Sequence, residues 1–245
     1  MLSGTGFDDD TGEADPELEA ALKDGWAEVA LFAAITGARL LVPVVATPAA
    51  CDAYEAAEAE DADLELASSA NLAAPPARSA DMAVVILTSP DGQRALPVFT
   101  SVTALQAWDP AARPSPVTSA RAAQAAVAER CDVLLLDVGS EHSQVLRPSM
   151  VWALAQQREW FPAHADPFVA QTLTRATAGE ADVTGCLGEE GDPAGAGILK
   201  VVLSLRPGLD AAQVQALATR IGERIATDGE ARARIDGLTF AIRQT

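Results

Sequence analysis

Leu96-Pro97-Val98-Phe99-Thr100-Ser101 is the stretch that decides how the chain is read. It carries an apolar strand through a proline and an aromatic, then hands over to a short helix that runs through Leu105 to Trp108. Thr100 or Ser101 can cap that helix, because a side-chain oxygen just before the first turn accepts from a free backbone N–H. A second apolar run, residues 82–88, lies upstream, and Ser89-Pro90-Asp91-Gly92-Gln93 separates the two. Apolar runs joined by such a loop predict a β-hairpin, 82–88 against 94–100.

Before the hairpin, residues 39–46 read as a strand, and Pro43 predicts an edge position or a bulge. Asp15-Pro16-Glu17 opens a helix with a cap, an early proline and acids at the positive end of the dipole. Leu18, Leu22, Trp26 and Val29 recur at helical spacing and predict one buried face, with Gly37 just past the end as a left-handed cap. Residues 1–14 have little to bury and read as a mobile tail. Residues 48–76, acidic and alanine-rich in their first half, read as an insertion between two sheet strands.

After the hairpin, residues 109–116 are proline-rich and extended. Ser115-Pro116 then starts a helix that places Val117, Ala120, Gln124 and Val127 on one side. Residues 133–138 form a buried strand, 139–147 a polar loop, and Pro148 opens a helix carrying Val151, Trp152, Leu154 and Ala155. Two prolines around His164 mark a linker at 161–167. Beyond a short helix at 168–177, strands at 183–189 and 198–205 flank a Gly-rich turn at 191–197. Asp210 and Gln213 stand at capping-box spacing, with Leu209 and Val214 as a hydrophobic staple, and 238–242 closes the chain as a strand. The expected fold is α+β: an acidic tail (1–15), an N-terminal domain of mixed sheet and packed helices (16–160), the linker, and a smaller β-β-α-β domain (168–245).

The chain of 245 residues has a net charge of −18, unevenly placed. Its first 65 residues hold 16 acids and 2 bases, the rest 19 acids and 15 bases. No basic stripe offers a track for phosphates, so nucleic acid is an unsuitable partner. The longest apolar run, 38–50, is broken by Arg39, Pro43 and Pro48 and is too short to span a bilayer. No cationic start leads into an apolar stretch, so a cytoplasmic protein without membrane attachment is expected. Alanine excess, with arginine far ahead of the two lysines Lys23 and Lys200, suggests a GC-rich bacterial genome.

No motif announces a reaction. Neither lysine has the Gly-rich approach of a P-loop, and the 191–197 glycines precede a strand, where a hairpin connection explains them. Cys51, Cys131 and Cys186 are too scattered for a disulfide framework or a zinc site; Cys131 and Cys186 read as small core residues. Glu141 and His142 beside Asp137 have ligand chemistry, and Asp137, Ser140, His142 and Ser143 include the residue types of a triad. All four lie within seven positions, whereas triads assemble from separate segments, so a polar turn after a strand is the better reading. No cofactor is expected. Trp108, Trp152 and Trp160 are either core or the lining of a shallow groove.

Leu96-Pro97-Val98-Phe99-Thr100-Ser101 with Trp108 downstream resembles the SseB (enhanced serine sensitivity) family. Leu40-Leu41-Val42-Pro43 and Leu134-Leu135-Leu136-Asp137 match two further family landmarks, and the likeness covers about residues 17–160. The last third is similar to the family's separate C-terminal domain. The acidic segment after Pro48 departs from the family pattern. The resemblance implies a fold and no agreed activity. Phe99, Thr100, Ser101, Trp108, Asp137 and His142 are the candidate binding residues. Two functions are open: a non-enzymatic interaction or scaffold protein that binds a protein partner or itself, or a small-molecule protein, perhaps amino-acid related, with its site near the 100–101 and 137–142 loops.

Overall fold

The two apolar runs divide between two sheets. In the computed structural model, which describes residues 7, 10–24, 28–47 and 81–244, the first run breaks at Val85-Ile86. Its first part, β2 (Asp81–Val84), pairs antiparallel with β1 (Arg39–Thr47). Only its end, β3 (Leu87–Thr88), forms the expected hairpin with β4 (Arg94–Val98). The single long hairpin is therefore corrected to a shared strand, held at the break by Val85 N–H donating to Pro43 O at 3.3 Å. Val84 and Ile86 both pack on the core, which fixes the crossing.

The extended proline-rich segment is β5 (Arg113–Thr118), an edge strand antiparallel to β1, giving the order β2-β1-β5. Pro43 thus lies in a central strand, not at an edge. Its nitrogen faces Val85, just past the end of β2. Leu41 exchanges both backbone bonds with Phe99, at 2.8 Å each, so residues 41 and 43 turn their backbone groups away from β5. Their partners Pro116 and Pro114 then occupy positions where β5 needs no donor. The helix predicted from Ser115 starts later, as α4 (Ser119–Ala128), with Thr118 as its cap. Its buried side is alanine, and Val127 faces out.

The second sheet runs β3-β4-β6-β7, with β4 and β6 (Val133–Leu136) parallel and β7 (Gln144–Leu146) antiparallel at its edge. The Leu41–Phe99 bridge joins this sheet to the first. Alternation then sorts the side chains. Leu40, Val42, Leu96, Val98, Leu134 and Leu136 face a core shared with α1 (Pro16–Asp24), α2 (Glu28–Gly37), α4 and α5 (Pro148–Ala155). Leu41 and Phe99 face the other way, under α3 (Val102–Trp108), with Leu105 and Ala112.

The first helix is two helices, so one continuous stripe does not hold: Leu18 and Leu22 are buried, whereas Val29 is 49% exposed. Trp26 lies outside the described residues, as do Cys51 and the whole acidic segment at 48–76. Gly37 is the last residue of α2, and its φ is not positive. The acidic start expected as tail is bonded from Asp10 onward: Arg39 Nη2 donates to Asp10 Oδ1 (2.8 Å) and to Glu13 O (2.6 Å), and Val102 N–H donates to Gly12 O. Gly12 has φ +80°, and a Cβ there would meet Val102 Cγ2 at 2.7 Å.

The last third forms its own layer pair. α6 (Pro167–Thr177), α7 (Ala211–Thr227) and α8 (Gly229–Arg234) pack on a sheet of order β10-β9-β8, built from β8 (Val183–Glu190), β9 (Ile198–Leu205) and β10 (Gly237–Gln244). β8 and β9 are the predicted hairpin, and β10 returns parallel to β9. The capping box forms as read: Asp210 accepts from Gln213 N–H, and Gln213 Oε1 accepts from Asp210 N–H. α8 is the one addition to the expected β-β-α-β pattern. The chain is α+β throughout. No helix among the described residues is long and apolar enough to cross a membrane.

Candidate functional site

β4 and β6 are parallel neighbours, so their carboxyl ends lie side by side, and the predicted site residues fall there. Open sheets place ligands at such ends. Thr100 follows β4 and Asp137 follows β6. The Asp137 carboxylate accepts from Thr100 N–H and from Thr100 Oγ–H, both at 2.8 Å. Both residues are buried, Asp137 to 6% exposure. Burial pushes the Asp137 carboxyl above its ordinary value, and the two Thr100 bonds offset part of that shift. Asp137 has φ +47°, a left-handed conformation that its short polar side chain tolerates, and Gly139 follows at φ +85°. This reverses the chain directly after the strand, and Ser140 N–H closes the turn on Asp137 O at 3.0 Å.

The remaining candidates separate. Ser101 caps α3 by accepting from Ala104 N–H at 3.1 Å. Phe99 is fully buried, its ring 5.3 Å from that of Trp108, so it packs and borders no surface itself. Trp108 is half-buried, beside Val138 and Gly139. His142 is half-buried in the following turn, where its N–H donates to Ser140 Oγ at 3.2 Å. The Thr100–Asp137 pair is therefore a closed unit, with Trp108 as its apolar flank. Among the described residues no three His, Cys, Asp or Glu side chains lie close enough together to hold a metal ion. Burial raises the pKa of both Cys131 and Cys186, which keeps them as thiols.

Two arginines carry no sequence signal for the bonds they make. Arg39, already bonded to Asp10 and Glu13, also donates to Thr100 O at 3.0 Å and so fastens the N-terminal segment beside the strand ends. Arg147 stands at the start of α5 with its side chain only 15% exposed. Lone charges at strand and helix ends carry no periodic signal, and their partners lie 26 to 119 residues away.

The family model of the SseB protein N-terminal domain matches residues 17–153, more than half of the chain. The chain belongs to the SseB family. The match contains all six predicted site residues and every landmark used for the resemblance. No curated protein and no solved structure gave a match.

Proposed function

We propose that this SseB-family chain is a non-enzymatic protein-interaction module that binds a protein partner or a second copy of itself. One observation carries the reading: the polar groups at the strand ends are satisfied by one another, while apolar side chains lie open elsewhere. Thr100 holds Asp137, and Ser101 holds α3. By contrast, Val29 and Phe161 are 49% and 37% exposed on the two walls of a groove of about 420 Å³ between α2 and residues 157–161. A second groove, of about 640 Å³, runs between α7 and the edge strand β10, floored by Val214, Phe240 and Ile242. Exposed apolar grooves and open sheet edges are surfaces that protein partners use.

The last third of the chain, beyond the matched residues, is read as the family's C-terminal domain. Its support is the order of elements and its separate core. A bacterial source is supported by the alanine- and arginine-rich composition.

Native mass spectrometry of the purified protein tests the function, paired with Val29→Asp/Phe161→Asp and Val214→Asp/Ile242→Asp variants. A second polypeptide or a homodimer, lost in one of these folded variants, is the expected result. A monomer whose melting temperature rises with an amino acid or nucleotide would replace the reading with a small-molecule one, because a ligand specific to the native state must stabilise it.

A further inference from the structure

Arg147 makes its bonds across the boundary between the two domains. Its guanidinium forks onto both oxygens of Glu28 in α2, while Nε donates to Asp236 Oδ2 at 3.0 Å and Nη1 to Gly195 O at 2.7 Å. Asp236, just before β10, also accepts from Ser149 N–H and Ser149 Oγ–H, each at 2.8 Å. Ser149 Oγ accepts in turn from the buried Trp160 Nε1–H at 3.0 Å, and the Arg147 guanidinium lies 5.7 Å from the centre of that ring. Burial alone would lower the arginine pKa, but Glu28 and Asp236 more than offset it and hold the charge.

Arg234 makes the reciprocal reach. From α8 it lies 5.3 Å from the ring centre of Trp152 in α5 and 5.0 Å from that of Phe168 in α6. Nη1 donates at 2.7 Å to Asp166, a carboxylate 3% exposed that also caps α6. Residues 234 and 236 flank a single position, so one short connection in the C-terminal domain carries an anchor of each sign.

The Gly-rich turn finds its role here. Gly195 supplies the carbonyl to Arg147. Gly197 has φ +75°, and a Cβ on it would stand 2.5 Å from Arg147 Nε and 2.6 Å from Asp236 Oδ2. Only glycine lets the backbone come this close to the ion pair.

We propose that Arg147 and Arg234 latch the two domains into one cooperative body, with residues 191–197 as the seat of Arg147. The segment 161–167, expected as a linker, is then a fixed joint: Asp166 holds Arg234, and Ala163 packs on the C-terminal core. It follows that the matched residues are not an independent folding unit, because Arg147 and Ser149 have their partners near the other end of the chain.

The test is amide hydrogen exchange on the full chain across a urea series, read peptide by peptide. The unaltered protein should show one midpoint for both domains. In Arg147→Met, exchange in residues 191–197 and 234–238 should rise at least about tenfold, since an unpaired buried carboxylate opens the joint, and the two domains should acquire separate midpoints. Arg243→Gln, which breaks an ion pair with Glu189 on the outer face of the C-terminal sheet, should leave the joint unchanged. A folded Arg147→Met with unaltered exchange at the joint overturns the proposal, as do separate midpoints in the unaltered protein. Should Arg147→Met not fold, Asp236→Asn is read in the same way.

Discussion

Two carboxylates in this molecule are held by different kinds of partner. Asp137 is held by the N–H and hydroxyl of Thr100, at the end of the neighbouring strand. With desolvation dominant, its carboxyl is pushed up. Asp236 is held by Ser149 and by the Arg147 guanidinium, so the negative charge has a cation within hydrogen-bonding distance. The first pair fixes a turn inside one domain. The second ties the residue just before β10 to the start of α5. An acid is thus a local brace or a long-range anchor according to whether its partner is a neutral group on the adjacent strand or a cation from a distant segment.

The comparison can be broken from either side. The largest effect is expected for Phe99→Ala, which empties the junction of the two N-terminal sheets beside the Asp137 turn. A cavity of that kind costs about 3–5 kcal/mol, measured as a fall in the urea midpoint. Arg147→Met should follow at roughly 3 kcal/mol, because Glu28 and Asp236 lose their cation together. Asp137→Ala should cost about 2 kcal/mol, since two donors on buried Thr100 lose their acceptor.

Asp137→Asn sharpens the contrast. An amide can accept from Thr100 N–H and donate its NH2 to Thr100 Oγ in place of the accepted hydroxyl bond, and it tolerates the left-handed conformation, so the change near neutral pH should be about 1 kcal/mol. The sign with pH is determined. A carboxyl whose folded pKa is raised contributes fully below its unfolded pKa and loses that contribution as pH rises through the folded pKa. Asp137→Asn should therefore gain on the unaltered protein as pH climbs out of the carboxylate range, in paired thermal melts; a constant difference would show that Asp137 is not desolvated. The smallest effect is expected for Arg39→Gln. Its pair with Asp10 is mostly shielded, but Asp10 and Glu13 sit on a short N-terminal segment that can move out to water when the pair is lost, so about 0.5 kcal/mol is expected, and exchange at residues 10–15 should quicken as the segment is released.

Much of the fold was legible where the signal is local. The hydroxyl at Ser101, the Asp210–Gln213 box and the β8–β9 hairpin follow from neighbours in sequence, and all three form. Errors came where a local rule met a tertiary partner. The run at 82–88 looks like one strand because all but its last residue, Thr88, are apolar, but two different sheets claim its halves. Pro43 looks like an edge residue because proline lacks a donor, but it lies in a central strand with its nitrogen facing Val85, where β2 has already ended. Val29 and Val127 fit helical stripes and are exposed, because α1 and α2 are separate and the inner face of α4 is alanine. Of the candidate site, the Thr100–Asp137 meeting was foreshadowed by two strand ends; the closure of that pair on itself was not.

By itself the sequence determined the α+β class, the family, the caps at Ser101 and Asp210 and most of the strands, because periodicity and capping act over a few residues. Tertiary structure alone decided that Phe99 would stitch two sheets together and that Asp137 would be sealed by Thr100. It also decided that Arg147 would meet Glu28 and Asp236, separated from it by 119 and 89 residues. Charges at such distances are brought together only when the packing of both cores fixes where their helices and turns lie, and no pattern in the chain itself encodes that meeting.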